Sequence, residues 1–483
     1  MVFGAYRSDL MEKLLMRRQA VVLRAFFLLA AVAAVVSAAL IEPAMAQTSG
    51  GTGTDDTNLS GVAGVLIDGK GVLQTRVFRD PGGMVTRERI QAARQSMPPE
   101  LTRQSPLRKV SLTRLEKAIQ GKGGVPTDAM RYLAGLQRVR YVFLYPDSGD
   151  VVIAGPAEGW ITDVSGRVVG MTSGRPVVQL QDLVVALRAF PPGEKGARVI
   201  GCSIDPTQHG LAEMQQFLRS VGSRMVPGQE AYLVNGLRMS LGMQEIRIDG
   251  VPPDTHFAQV LVEADYRMKR MGIGLEQPPV RMVSFVDRVN PAAVSRNALF
   301  RWYFVPDYQC VRQSADGLGM ELVGDGVKLV GEDELVSAGG TRQTLSSASR
   351  ASQVFTTSFT EKYPQLAARA PVYAELRNLI DLVVAAAYLQ ENDFYGKAGW
   401  TMELFGSEAA FSVQTYPAPK HVESAVAAIW KGRTLMTPIG GGVQIEAAHA
   451  LRAENLLSDE GDKVDKLREQ TPLDLADGQW WWD

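Results

Sequence analysis

RVIGCSIDPTQHGLAEMQQFL at 198–218 and QEIRIDGVPPDTHFAQVLVEADYRMKRM at 244–271 are the two stretches on which the fold reading turns. Each opens with a short run rich in Ile and Val, Arg198 to Ile204 and Gln244 to Ile248, which predicts a strand. Each then breaks at Ile-Asp and proline and resumes with apolar residues at helical spacing. Leu211, Met214, Phe217, Leu218 and Val221 share one face in the first; Phe257, Val260, Leu261, Ala264, Met268 and Met271 do so in the second. Asp205, with Pro206 and Gln208 behind it, reads as a helix N-cap, and Asp254 reads the same way. Strand, Ile-Asp, Pro, Thr, His and helix follow in that order twice. The pair is either an internal duplication or two ordinary strand–turn–helix units.

On the amino-terminal side, Val62 to Val77 predicts a hairpin around Asp68-Gly69. Helical stretches are expected near Thr86–Gln95, Leu112–Gln120 and Asp128–Arg138, with Pro98-Pro99 between the first two. Tyr141 to Tyr145 and Val151 to Ala154 read as strands joined by Pro146-Asp147-Ser148-Gly149, where proline presets φ and glycine takes positive φ. Short strands at Val168–Met171 and Pro176–Val178 precede a helix from Leu180 to Phe190.

On the carboxyl-terminal side, Phe300–Phe304, Tyr308–Arg312, Met320–Val323 and Val327–Val330 predict an antiparallel meander. Alternation along Phe300-Arg301-Trp302-Tyr303-Phe304 sends half of these aromatics to a core face. Glu332-Asp333-Glu334 reads as a solvated loop, since it lacks the fixed carboxylate spacing of a calcium loop. Pro371 opens a helix with Val372, Leu376, Leu379, Ile380, Val383 and Val384 on one face. Three indoles at 480–482 are costly to leave in water. We expect that tail to dock, with Trp480 and Trp482 inward if it is extended.

The expected fold class is α+β: a mixed α/β region ending in an antiparallel meander, then a mostly helical carboxyl-terminal region. Expected boundaries are 1–46 for a signal peptide, 47–60 for a flexible linker, 61–228 and 229–338 for two mixed domains, and 346–483 for the helical region. Arg17-Arg18, the apolar block Ala25 to Ile41 and Ala44-Met45-Ala46 have the three regions of a secretory signal, with cleavage after Ala46. An uncleaved anchor is the rival reading. Export makes a disulfide between Cys202 and Cys310 chemically permissible; two separate buried thiols are the alternative.

A net charge of −1 excludes the basic surplus of a nucleic-acid binder. There is no Cys-x-x-Cys, and the four histidines never fall at the spacing of a helical metal pair, so no metal or cofactor is implied. Phosphate-loop, serine-elbow and zinc-protease motifs are absent from the sequence. The remaining candidates for chemistry are Asp205 with His209, and Asp249 and Asp254 with His256. If both turns sit at the carboxyl edge of an open sheet, they lie where ligands bind, and a carboxylate-oriented imidazole can serve as a general base.

Several segments resemble a family of exported bacterial proteins, mainly from planctomycetes, known only as a domain of unknown function. They are Tyr145-Pro146-Asp147, Asp150 to Val152, Ala154 to Trp160, Gly174-Arg175-Pro176-Val177, Cys202 to Thr207, Leu261 to Lys269, Arg301 to Pro306 and Gly478 to Asp483. That resemblance implies export and assigns no activity or site residue. The reading is an exported envelope or periplasmic protein that binds an envelope protein or a glycan, with no nucleic acid and no stable membrane span after signal cleavage. The alternative is a motif-poor envelope hydrolase acting through the Asp/His turns.

Overall fold

The computed structural model describes residues 61–221, 228–290, 298–430 and 434–483. The leader and linker expected at 1–60 lie outside the described residues. The strands are β1 (Gly61–Ile67), β2 (Val72–Arg79), β3 (Ser105–Ser111), β4 (Tyr141–Tyr145), β5 (Asp150–Ala157), β6 (Trp160–Thr162), β7 (Val168–Gly170), β8 (Ile200–Asp205), β9 (Met243–Asp249) and β10 (Ala298–Pro306). They continue with β11 (Val311–Gln313), β12 (Gly319–Leu322), β13 (Val327–Val336), β14 (Arg342–Thr344), β15 (His421–Glu423), β16 (Val426–Trp430), β17 (Thr434–Ile445), β18 (Leu457–Ser458) and β19 (Trp481–Trp482). The longer helices are α1 (Met84–Ser96), α2 (Leu112–Gln120), α3 (Leu180–Ala189), α4 (Gln208–Val221), α5 (Glu230–Leu241), α6 (His256–Gly272), α7 (Arg350–Arg369) and α8 (Pro371–Glu391).

The fold is α+β. One sheet runs β1-β2-β15-β9-β8-β17-β10-β13-β14, with β16 paired to β17; a second runs β18-β11-β12-β4-β5-β3-β19. Strands from before Gly228, from 229–338 and from beyond 346 thus share the larger sheet, and residues 59–483 form one compact unit. The hairpin at Asp68 forms as its chemistry dictates, with Asp68 Oδ1 accepting from the Lys70 and Val72 amides at 2.8 and 2.9 Å. The expected Asp128–Arg138 helix shrinks to a single turn at Asp128–Arg131, and β3 occupies a stretch that propensity left unassigned.

β8 and β9 are neighbours, but antiparallel, and their helices cover opposite faces of the sheet. Leu211, Met214 and Leu218 of α4 pack with Leu237 and Leu241 of α5 against Leu299 and Val336. Phe257, Leu261, Ala264 and Met268 of α6 join the main core with Ile204, Phe300 and Trp302. Within that core Lys269 Nζ donates to Asp265 Oδ2 at 2.7 Å and to the carbonyls of Ile204 and Gly441 at 3.0 Å. Such a pair costs desolvation that only full hydrogen bonding offsets. Burial raises the Asp265 carboxyl to about 6 even with the ammonium beside it.

The four strands expected as a meander are present but split between two sheets. β10 pairs directly with β13, Trp302 opposite Gly331, while the β11–β12 hairpin leaves to join β4. Loop length does not reveal such an excursion, because both halves are antiparallel. Phe300, Trp302 and Phe304 face the core and Arg301 faces the other side, as alternation predicts. Glu332-Asp333-Glu334 is part of β13 and not a solvated loop. Asp333 accepts from Ser352 Oγ at 3.0 Å and Glu334 from Arg301 at 3.0 Å, so each acid has a partner that sequence spacing does not show.

α8 lies almost wholly inside, its chain buried from Val372 to Leu389 with few exceptions. Cys202 and Cys310 are separate buried thiols. The tail docks as expected: Trp481 and Trp482 pair with Val110 and Lys109, and Trp480 and Trp482 are buried. Asp483 accepts from Arg108 Nε at 2.8 Å, and the same guanidinium lies 4.7 Å from the Trp481 ring centroid.

Candidate ligand cavity at His256

Antiparallel pairing separates the two histidine turns. Asp205 sits opposite Glu245 and Gly201 opposite Asp249, so the carboxyl ends of β8 and β9 point to opposite ends of the pair. The single ligand edge of an open parallel sheet therefore does not form here.

Asp205 is the last residue of β8 and does not cap α4. Thr207 Oγ1 takes the cap role by accepting from the Gly210 amide at 2.9 Å. Asp205 instead accepts from Arg301 Nη2 at 3.0 Å and pairs with Arg342 at 3.3 Å. A Cβ on Gly440 would come within 2.5 Å of Asp205 Oδ1, so a larger residue there would displace the carboxylate. His209 is exposed, and no hydrogen bond joins it to Asp205. Asp254 is likewise not the cap of its helix: Thr255 Oγ1 accepts from the Ala258 amide at 3.2 Å, and the Asp254 carbonyl accepts from the Tyr416 amide at 2.7 Å. Asp249 ends β9 with its side chain exposed.

His256 is the candidate that reaches a cavity. It is the first residue of α6, and that end of the helix abuts the first turn of α3. There the His256 Nδ1 donates to Asp182 Oδ2 at 2.9 Å, the second carboxylate oxygen lying at 3.1 Å. Asp182 is buried. Burial alone lowers the imidazole's affinity for a proton; the Asp182 charge and hydrogen bond outweigh it and lift the pKa to about 9. The ring is therefore an imidazolium at neutral pH. Its Nε2 lies 3.5 Å from the Gln179 side-chain nitrogen, and its ring centroid 6.0 Å from that of Tyr416.

The cavity holds about 400 Å³ and is lined by Tyr132, Gln179, Gln259, Gln414 and Tyr416 beside His256. Arg167 forms its ionic floor, bonding Glu263 and, at 2.9 Å, Glu375. Arg267 also reaches Glu263, at 3.3 Å, so both glutamates are already paired. A second cavity of about 280 Å³ shares Tyr132, Gln179 and Gln414 with the first and adds Gln181, Phe411 and Ser412. Gln181 Oε1 is buried there without a hydrogen-bond partner. Asp182, Tyr416 and the glutamines are not marked in the sequence. The only hint is an acidic residue in the first turn of α3, where a helix dipole accounts for it equally well.

Residues 202–285 match the family described as "Protein of unknown function (DUF1598)". That segment carries β8 from Cys202 onward, both histidine turns and α6. No curated protein and no solved structure matches the chain. Among the described residues no helix is long and apolar enough to cross a membrane, and no group of three or more His, Cys, Asp or Glu side chains is arranged to hold a metal ion.

Proposed function

We propose that this chain is an exported envelope or periplasmic protein that works by binding, and that the cavity at His256 and the one adjacent to it take a neutral or weakly acidic glycan segment. The observation that carries this reading is the donor set of the cleft. Four glutamine amides and two tyrosines line two contiguous cavities, while the Glu263 and Glu375 carboxylates are tied to arginines. Amides donate and accept toward hydroxyls, and tyrosine rings offer flat apolar faces with a polar rim. The orphan Gln181 Oε1 needs a donor, because a buried polar atom left unpaired is costly. Two adjacent cavities with Tyr132, Gln179 and Gln414 in common suit a chain-shaped ligand better than a compact one. The leader that the sequence predicts, and the exported, mainly planctomycete family it resembles, agree with that location.

The test is microscale thermophoresis against soluble linear oligosaccharides, with cellohexaose and chitohexaose as neutral probes and a hexagalacturonate as the acidic one. Binding should be saturable and about tenfold weaker in Gln181→Leu and Tyr416→Ala, the size of one lost hydrogen bond or ring face. Absence of saturable binding across the panel overturns the glycan reading. A crosslinked envelope protein recovered through the same cleft would replace it.

The Asp182–His256 pair favours a second reading, the motif-poor hydrolase. A buried carboxylate holding Nδ1 leaves a protonated Nε2 at the cavity, the arrangement of an oriented general acid at neutral pH. Among the described residues no Ser, Thr or Cys is hydrogen-bonded to that Nε2, so a water would be the nucleophile. Turnover of glycan, ester or peptide substrates that vanishes in His256→Ala and survives in His209→Ala would establish it.

A further inference from the structure

A third cavity, not lined by His256, is lined by four arginines. It holds about 410 Å³ and is walled by Arg138, Arg140, Arg175 and Arg377 together with Gln137 and Asp325. Five separate segments build it. Arg138 and Arg140 lead into β4, Pro156 belongs to β5, Arg175 follows β7, Gly324-Asp325 turns between β12 and β13, and Arg377 projects from α8.

One guanidinium is internally neutralised: Arg138 Nε donates to Asp381 Oδ2 at 2.6 Å. Arg140 reaches only the Gly324 carbonyl, at 3.4 Å. Arg377 makes no hydrogen bond and no ion pair among the described residues, and its Nε is buried without a partner. Burial and the neighbouring Arg138 charge lower its affinity for the proton it holds, outweighing the Asp381 and Asp325 charges that favour it. A guanidinium with no hydrogen-bonded partner in that position costs stability, and an anion in direct contact would lower the cost.

From the unpaired Arg377, with Arg140 and Arg175 around the same cavity, the geometry points to a binding site for the phosphate group of a small ligand. Guanidiniums present paired N–H donors that match phosphate oxygens two at a time. The volume exceeds what a lone phosphate fills and lies in the range of small-molecule pockets, so a phosphomonoester fits the space. The Gly324-Asp325-Gly326 turn places a carboxylate at the same cavity, which weakens any anion and tunes the site away from tight retention. This site is independent of the glycan cleft.

The experiment is isothermal titration of the full exported chain at low ionic strength with inorganic phosphate, glucose 6-phosphate and, as an uncharged control, glucose. Phosphate and glucose 6-phosphate should bind with one-to-one stoichiometry and glucose should not. A tighter glucose 6-phosphate identifies a phosphomonoester, and equal affinities identify free phosphate. Arg377→Gln should weaken binding at least tenfold. Asp325→Asn should tighten it severalfold, so the two variants move in opposite directions and a generally damaged fold cannot imitate the result. No saturable phosphate binding, or binding unchanged by both substitutions, overturns the assignment.

Discussion

The turns after β8 and β9 look alike as sequence and behave differently as structure. Both run Ile-Asp, Pro, Thr, His, and in both the threonine caps the helix, with Thr207 Oγ1 on the Gly210 amide and Thr255 Oγ1 on Ala258. His256 follows its cap directly, whereas Gln208 stands between Thr207 and His209. One residue turns a side chain by about 100° around a helix. The helices also lie on opposite faces of the sheet, and only α6 begins against the first turn of another helix. One imidazole therefore meets a buried carboxylate while the other meets water. A shared motif specifies the local turn; what packs over the turn decides its chemistry.

The aspartates reverse that contrast, and they carry the largest expected effect. Asp205 belongs to a half-buried ionic cluster in which Arg301 bridges it to Glu334 at 3.0 Å on each side. Replacing Arg301 with Ala leaves two carboxylates facing each other with Arg342 as their remaining partner. Breaking one member of such a cluster costs about 3–5 kcal/mol. Urea unfolding of Arg301→Ala should show that loss, and Asp205→Asn, which removes charge but keeps an acceptor, a smaller one. A loss below about 1 kcal/mol in Arg301→Ala, the level of exposed pairs, would mean that the β8 turn is no more organised than solvent-exposed ion pairs.

At the β9 turn the expected effect is smaller and depends on pH. His256 titrates near 6.5 in an unfolded chain and at about 9 when folded, because Asp182 holds the imidazolium. A raised pKa means that the pairing stabilises fully below 6.5 and fades as pH climbs through 9. The difference amounts to about 3 kcal/mol at most. Wild-type melting temperature should fall between pH 6.5 and 9.5 more steeply than that of His256→Asn. Parallel curves would show that Asp182 does not hold a proton on the ring.

Much of the frame was legible because it rests on local chemistry. Period-2 and period-3.6 patterns marked β8, α4, β9 and α6, Asp68-Gly69 marked a hairpin, and alternate indoles marked the buried faces of the tail. What was hidden depends on distant partners. Asp205 and Asp254 read as caps because an Asp before proline or threonine fits that role, but each helix start uses the threonine next to it. The meander split because β12 pairs with β4, more than 160 residues earlier in the chain, and β11 leaves with it as its hairpin partner. Asp182 precedes His256 by 74 positions, and Arg377 is unpaired only because α8 buries it beside Arg138. No spacing within a segment encodes those meetings.

The smallest expected effect is the sharpest check on the contrast between the turns. His209 lies exposed on the first turn of α4 and contributes no hydrogen bond to Asp205. Surface substitutions remote from caps, cores and ionic networks stay within about 0.5 kcal/mol. His209→Ala should therefore leave the urea midpoint, the pH profile of melting and any ligand affinity at wild-type values. Its neighbour Thr207→Ala, by contrast, should cost about 1 kcal/mol through the lost cap. If His209→Ala instead altered the pH profile as His256→Asn does, the imidazole would have a carboxylate partner after all. The two turns would then be equivalent, and the cavity at α6 would lose its claim to be the distinguishing feature of the pair.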